Sequence, residues 1–257
     1  MRRAAIVLAA IAVLGGCSSG SSGSALPEHW LGGCFPEGTP LDVMSRPANA
    51  EKGSDGAADA LRKFIAKPIG VHSVIAIGWR RVDHRGTATF VAPFVPEGTF
   101  TLYTTTTTPG KGDGLVSVTF ARKNGRWKYQ ASSFGCVGTV ERRGVTGAEW
   151  ALDPSASAPP SDATAIPVLV RERACTGGAR IGDRLLSPEI SYDATEVKVT
   201  YYARPIPVGK GEAVTCPGVP PDHVTLHLSQ PLGSRALLDG STLPAHAPTA
   251  DSSWTLR

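Results

Sequence analysis

The sequence predicts an α+β amino-terminal domain, one helix with an antiparallel sheet, followed by an all-β carboxy-terminal domain of sandwich or barrel type. Three observations predict it. One stretch, residues 55–67, carries apolar residues at helical period. The other apolar stretches alternate at period two or are rich in β-branched residues. A segment rich in Pro, Ser and Ala then separates the two halves.

Residues 26–53 read as irregular chain, punctuated by prolines and glycines. The helix follows over about Asp55–Lys67, where Ala57, Leu61, Phe64 and Ile65 share one face. Ser54 is placed to cap its start. Asp59 near the beginning and Arg62, Lys63 and Lys67 near the end match the helix dipole, and Pro68 stops it. Residues 86–94 and 99–108, rich in Thr, Phe, Val and Tyr, read as strands separated by Pro96 and Gly98. The run Thr104–Thr108 is β-prone and carries no chemistry.

The sharpest local signal is "VSVTFARKNGRWKYQAS". Asn124-Gly125 specifies a two-residue hairpin, because both turn residues need positive φ. Folding there pairs Phe120 with Tyr129 and Val118 with Ala131, with Trp127 on the same face. The hairpin ends near Cys136 and closes a first domain spanning 26–140. Residues 151–165, "ALDPSASAPPSDATA", contain no large apolar residue after Leu152, and the linker is drawn over 141–165. The second domain, 166–241, has strands at Ile166–Cys175, Glu189–Tyr192, Glu196–Tyr202 and His223–Leu228, with no helical period between them. From Thr242 to Arg257 the chain is polar and Pro-rich, a disordered tail. No internal repeat is evident.

The start of the chain speaks to compartment. Arg2 and Arg3 precede eleven unbroken apolar residues, Ala4–Leu14, and then Gly15, Gly16 and Cys17. Eleven residues are too few to cross a bilayer, which takes about 20 in a helix, so the segment reads as a secretory signal. Leu14-Gly15-Gly16-Cys17 resembles the lipobox of bacterial lipoproteins. That resemblance, over residues 1–17, implies cleavage before Cys17 and diacylglycerol on its thiol. It also implies a protein anchored by lipid to the outer side of the cell membrane. Ser18–Ser24 would then be a flexible tether reaching about 15 Å. The same four letters recur at Leu31-Gly32-Gly33-Cys34 with no apolar run before them, so that copy carries no such signal.

Without residues 1–16 the chain has 24 basic and 22 acidic residues, a net charge of +2. The longest basic runs are the pairs Arg80-Arg81 and Arg142-Arg143, read as solvated surface, and no case for nucleic acid follows. Of five cysteines, four remain after Cys17 is given to lipid: Cys34, Cys136, Cys175 and Cys216. They allow three pairings, and order along the chain favours Cys34–Cys136 and Cys175–Cys216 in an oxidising compartment. Closing the first loop stabilises by roughly 4–5 kcal/mol in the chain-entropy account. Zinc would need Cys-x-x-Cys pairs, which are absent.

A second resemblance covers about 75 residues. "RERACTG" (171–177) and "CPGVPPDHVTLHLSQPLGSRALLDG" (216–240) are similar to a domain of exported proteins of high-GC Gram-positive bacteria. That group has no assigned activity, so the likeness implies compartment and boundary alone. Ser234 stands where an acidic residue is common.

Several patterns invite chemistry and fail on context. Gly16-Cys17-Ser18-Ser19-Gly20 matches a nucleophile elbow but straddles the cleavage site. His223 and His227 would share a metal on a helix. On the strand that "DHVTLHL" specifies they start about 13 Å apart. Gly110–Gly114 and Gly209–Glu212 lack the strand–loop–helix setting of a phosphate loop. Asp83-His84 has no nucleophile with it. Glu172 shares a strand face with Val168, Val170 and Ala174, so partial burial is expected, with Arg235 as its ion-pair partner.

The reading that follows is a lipid-anchored envelope protein with no catalytic residues, metal or cofactor. It would bind an envelope protein or a small ligand. The alternatives are an envelope hydrolase or modifying enzyme built on an unfamiliar carboxylate site, and an accessory subunit of a transport or sensory system.

Overall fold

The computed structural model describes residues 27–67, 78–93, 114–207, 209 and 212–248. The segment expected to be a signal, Cys17, the expected tether, the expected strand at 99–108, Gly110–Asp113 and Trp254 lie outside the described residues. In chain order the strands of the first half are β1 (His29–Gly32), β2 (Arg80–His84), β3 (Thr87–Pro93), β4 (Leu115–Lys123), β5 (Arg126–Cys136) and β6 (Gly138–Arg142). Those of the second are β7 (Thr146–Leu152), β8 (Ala165–Glu172), β9 (Glu189–Tyr192), β10 (Glu196–Ala203), β11 (Asp222–His227), β12 (Ala236–Asp239) and β13 (Thr242–Leu243). One α-helix occurs among the described residues, α1 (Gly56–Ala66), between β1 and β2. The α+β first half and the sandwich-like β region of the second are both present, and no barrel closes among the described residues.

Helix α1 forms where the apolar period placed it, with Ala57, Ala58, Leu61 and Phe64 buried. Its cap is Asp55 rather than Ser54: the Asp55 carboxylate accepts a hydrogen bond from the Ala58 amide at 2.9 Å. The helix packs on the sheet β2-β3-β4-β5, where Phe64 stacks on Tyr129 with ring centroids 5.7 Å apart and meets the edge of Phe120. Asn124 and Gly125 adopt φ of 51° and 76°, the turn that their identities required. Phe120 pairs with Tyr129 as expected. Val118 faces Ser132 instead of Ala131, because a bulge after Tyr129 shifts the register by one.

The largest sheet has the order β11-β8-β7-β10-β12, with β9 also on β10 and a parallel β10–β12 pair. One face buries Trp150, Val168, Val170, Val197, Val199, Tyr201 and Leu226. Trp150 meets Tyr201 edge-on, and its indole N–H donates to the Val199 carbonyl at 3.0 Å, so the largest core residue leaves no orphan donor. The linker drawn over 141–165 is corrected here. Residues 141–142 belong to β6 and 146–152 form a strand in the middle of this sheet with Trp150 2% exposed, which leaves a turn at 143–145 and irregular chain at 153–164. The glycine and alanines flanking Trp150 gave no alternating signal of their own, which is why the segment read as a spacer.

The third sheet, β1-β6-β13, takes strands from both ends of the described chain, with Gly32 and Thr242 on either side of Thr139. Two further expectations change accordingly. Residues 29–32 are strand rather than irregular chain, and the region after Thr242 is ordered at least to Pro248, whose carbonyl accepts from the Leu152 amide at 2.8 Å. A hydrogen bond and an ion pair join this sheet to the largest one: the His29 Nε2 and the Arg142 guanidinium reach Glu189 at 3.1 and 3.0 Å, and Arg142 lies over the Tyr202 ring. Burial pushes the Tyr202 phenol up, with Glu189 adding to it.

Candidate functional site

The cysteines pair as their order favoured. Cys34 and Cys136 form one disulfide with Cα atoms 5.8 Å apart, and Cys175 and Cys216 the other at 4.5 Å. The second builds a cleft. Strand β8 ends at Glu172, and the chain turns at Gly177 and Gly178, whose φ of 61° and 90° a side chain would resist. Cys175–Cys216 then holds residues 216–220 across that turn, and the Gly177 amide donates to the Thr215 carbonyl at 2.9 Å. The result is a cavity of about 200 Å³ between the end of β8 and the 216–220 wall, with Thr176 and Ile181 at its base.

Glu172 lines this cleft and its side chain is 3% exposed, so the strand-face reading of partial burial holds. Its partner is corrected. Oε2 lies 2.6 Å from Arg184 Nη2, close but not aligned as a hydrogen bond, and Oε1 accepts from the Thr146 hydroxyl. Arg235 instead donates to the carbonyls of Leu232 and Pro231 and stacks its guanidinium over Tyr192, 5.2 Å from the ring centre. The reason is topological. The turn at 182–184 is tied to β10 by the Leu186 amide on the Tyr202 carbonyl, and this brings Arg184 to the end of β8.

The arginines of the cleft lie on the other face of β8. Arg171 pairs with Glu149, its register partner on β7, at 2.7 Å. Arg173 donates to the Ser241 carbonyl at 3.1 Å and lies flat over Gly147, where a Cβ would sit 1.9 Å from Nη2. Glu172 and Arg171 are thus ion-paired within the protein, while Arg173 meets a backbone carbonyl through Nη1 and keeps Nη2 buried without an acceptor. A nucleophile with an adjacent base is not assembled there.

The remaining singled-out residues do not join this site. His223 and His227 are exposed on β11, facing away from buried Leu226. His223 Nδ1 lies 2.8 Å from Asp153, whose carboxyl is held below the usual range by the Ser155 hydroxyl and amide and then by His223. Among the described residues no three His, Cys, Asp or Glu side chains gather as a metal site. Asp83 is exposed and paired with Arg81, and the His84 carbonyl accepts from Thr87. Gly209 and Glu212 bond to each other at 3.0 Å.

Sequence reasoning missed Arg184 and Thr146 as the groups that hold Glu172. Thr146 fell in the stretch read as linker, and Arg184 reaches Glu172 only through the pairing of distant strands. The cleft wall, by contrast, was legible in Cys175 and Cys216. The chain matches no protein-family profile, no curated protein and no solved structure.

Proposed function

We propose that this chain is a lipid-anchored protein of the outer side of the cell membrane, a non-catalytic module that binds an envelope protein or a small ligand. The observation that carries this reading is the disulfide-walled cleft, where Glu172 and Arg171 are ion-paired within the protein and Arg173 is held by a backbone carbonyl. Groups so held keep a fixed shape and give up the freedom to move protons, which suits recognition better than turnover. The eleven-residue apolar run and lipobox-like Cys17 support the anchor, and the two disulfides suit an oxidising compartment.

Two measurements test it. A photo-crosslinking residue at Val219, in the cleft wall, should form a discrete adduct in cells, while the same residue at exposed Leu41 should not. No adduct at 219, or the same adducts at both, overturns the binding reading. For the anchor, Cys17→Ala should move the protein from the membrane to the soluble fraction or leave uncleaved precursor. Membrane attachment that survives the change removes the lipid assignment.

A further inference from the structure

On the first half of the molecule, away from the disulfide-walled cleft, residues 46–55 cross the outer edge of β2 on their way into α1. The Ala50 amide fixes the crossing by donating to the Trp79 carbonyl at 2.9 Å. Neighbours on a strand point to opposite faces, so Arg80 and Arg81 start out diverging. Arg80 shares a face with Val82, buried among Leu31, Val43 and Val91, whereas Arg81 turns to the helix side over Phe90 and Trp127. Because the crossing segment wraps round the strand edge, both arginines reach one hollow of about 460 Å³, together with Arg46, Asn49, Ser54 and Asp55.

The cations of this hollow are not equivalent. Arg81 is neutralised by Asp55 and Asp83, and Arg46 by Asp42 at 2.9 Å. Asp55 also caps α1, so the helix terminus is already occupied. Arg80 pairs with no carboxylate among the described residues. Its Nη1 donates to the Gly78 carbonyl at 3.0 Å, and its Nε is buried without any acceptor. With no carboxylate offsetting its charge, the Arg80 guanidinium offers the hollow an uncompensated cation that an incoming anion would match. Glu51 also has a buried, unbonded carboxylate oxygen, but it does not line the hollow.

We propose that this hollow is an oxyanion-binding site for a phosphate group, with Arg80 as its anchor and Arg46, Asn49 and Ser54 at its rim. The guanidinium fork suits a tetrahedral oxyanion, and the hollow is larger than a bare phosphate needs, leaving room for the group that carries it. That carrier is either a free phosphorylated compound or the headgroup of an anionic lipid. The proposal is independent of the cleft at Cys175–Cys216.

The test uses the Cys17→Ala chain, followed by arginine side-chain NMR and vesicle co-sedimentation. Titration with inorganic phosphate at fixed ionic strength should shift the Arg80 Nε–H signal saturably. Arg80→Gln should weaken binding about tenfold, Arg80→Lys should retain part of it, and Arg235→Gln should leave it unchanged. Arg80→Lys keeps the test open should Arg80→Gln fail to fold. Co-sedimentation with phosphatidylglycerol but not phosphatidylcholine vesicles, lost in the Arg80 variant, assigns the site to a lipid headgroup. A phosphate shift without vesicle binding assigns it to a free compound. If neither probe binds, or if Arg235→Gln weakens binding as much as Arg80→Gln does, the proposal is wrong.

Discussion

Glu172 shows how one buried carboxylate fixes its surroundings. Its charge is matched by Arg184 and one oxygen by Thr146, and all three sit where strands β7, β8 and β10 converge. Removing one partner of a buried pair strands the other, at about 3–5 kcal/mol, whereas exposed surface pairs contribute little. Arg184→Ala should therefore lower the urea midpoint strongly, while Asp42→Ala, which frees exposed Arg46, should barely move it. Gly147→Ala should be as damaging as Arg184→Ala, because the methyl would displace the Arg173 guanidinium from its contact with Ser241. Asp239 adds a pH signature. Burial raises its carboxyl above the usual value of 3.8, against the opposing Ser241 hydrogen bonds and the nearby His246 and Arg173 charges. The folded state then holds the proton more tightly than the unfolded chain does. Its contribution consequently falls as pH rises from the ordinary aspartate range through the folded value. Asp239→Asn keeps an acceptor for the Ser241 amide and should flatten that fall, read from urea midpoints across pH.

At the scale of elements, how much was legible depended on whether the signal was local. Helix α1 and the Asn124-Gly125 hairpin were legible because each carries its period and its punctuation within a few residues. The cap shifted from Ser54 to Asp55, and side-chain reach decided it: Asp55 serves both the Ala58 amide and Arg81. These two contacts, Arg81 first, hold the Asp55 carboxyl below the usual aspartate value. Stability from this cap is thus present above that value and fades as pH falls through the lowered one. Asp55→Ala should cost about 1 kcal/mol at neutral pH, and the loss should vanish in acid. Strand β7 was illegible for the opposite reason. Its small residues have no alternation, and it is a strand only because β8 and β10 flank it. The candidate site divides the same way: the disulfide wall could be read from cysteine order, and the Arg184–Glu172 contact could not.

Across the whole molecule, the two disulfides serve different neighbourhoods. Cys34–Cys136 joins the segment after β1 to the end of β5, with Cys34, Phe35, Leu31, Val43 and Leu115 buried around it. Cys175–Cys216 closes a shorter loop over exposed cysteines at the cleft. The chain-entropy account gives the longer loop the larger share, roughly 4–5 kcal/mol. Replacing both Cys34 and Cys136 by alanine should lower the melting temperature more than replacing Cys175 and Cys216. The second pair should instead alter crosslinking at Val219. The opposite ranking would place the main stabilisation at the cleft.

The sheet β1-β6-β13 also sets a timetable. A chain delivered amino end first presents β1 and β6 early, and they can pair as soon as β6 emerges. The outer edge of β6 must wait for β13, after every strand of the largest sheet has followed. During that interval the small sheet is an unfinished frame with one bare margin, and Thr242 and Leu243 are the pieces that complete it. Arrival of β13, rather than formation of β1, thus marks the moment at which this sheet is complete.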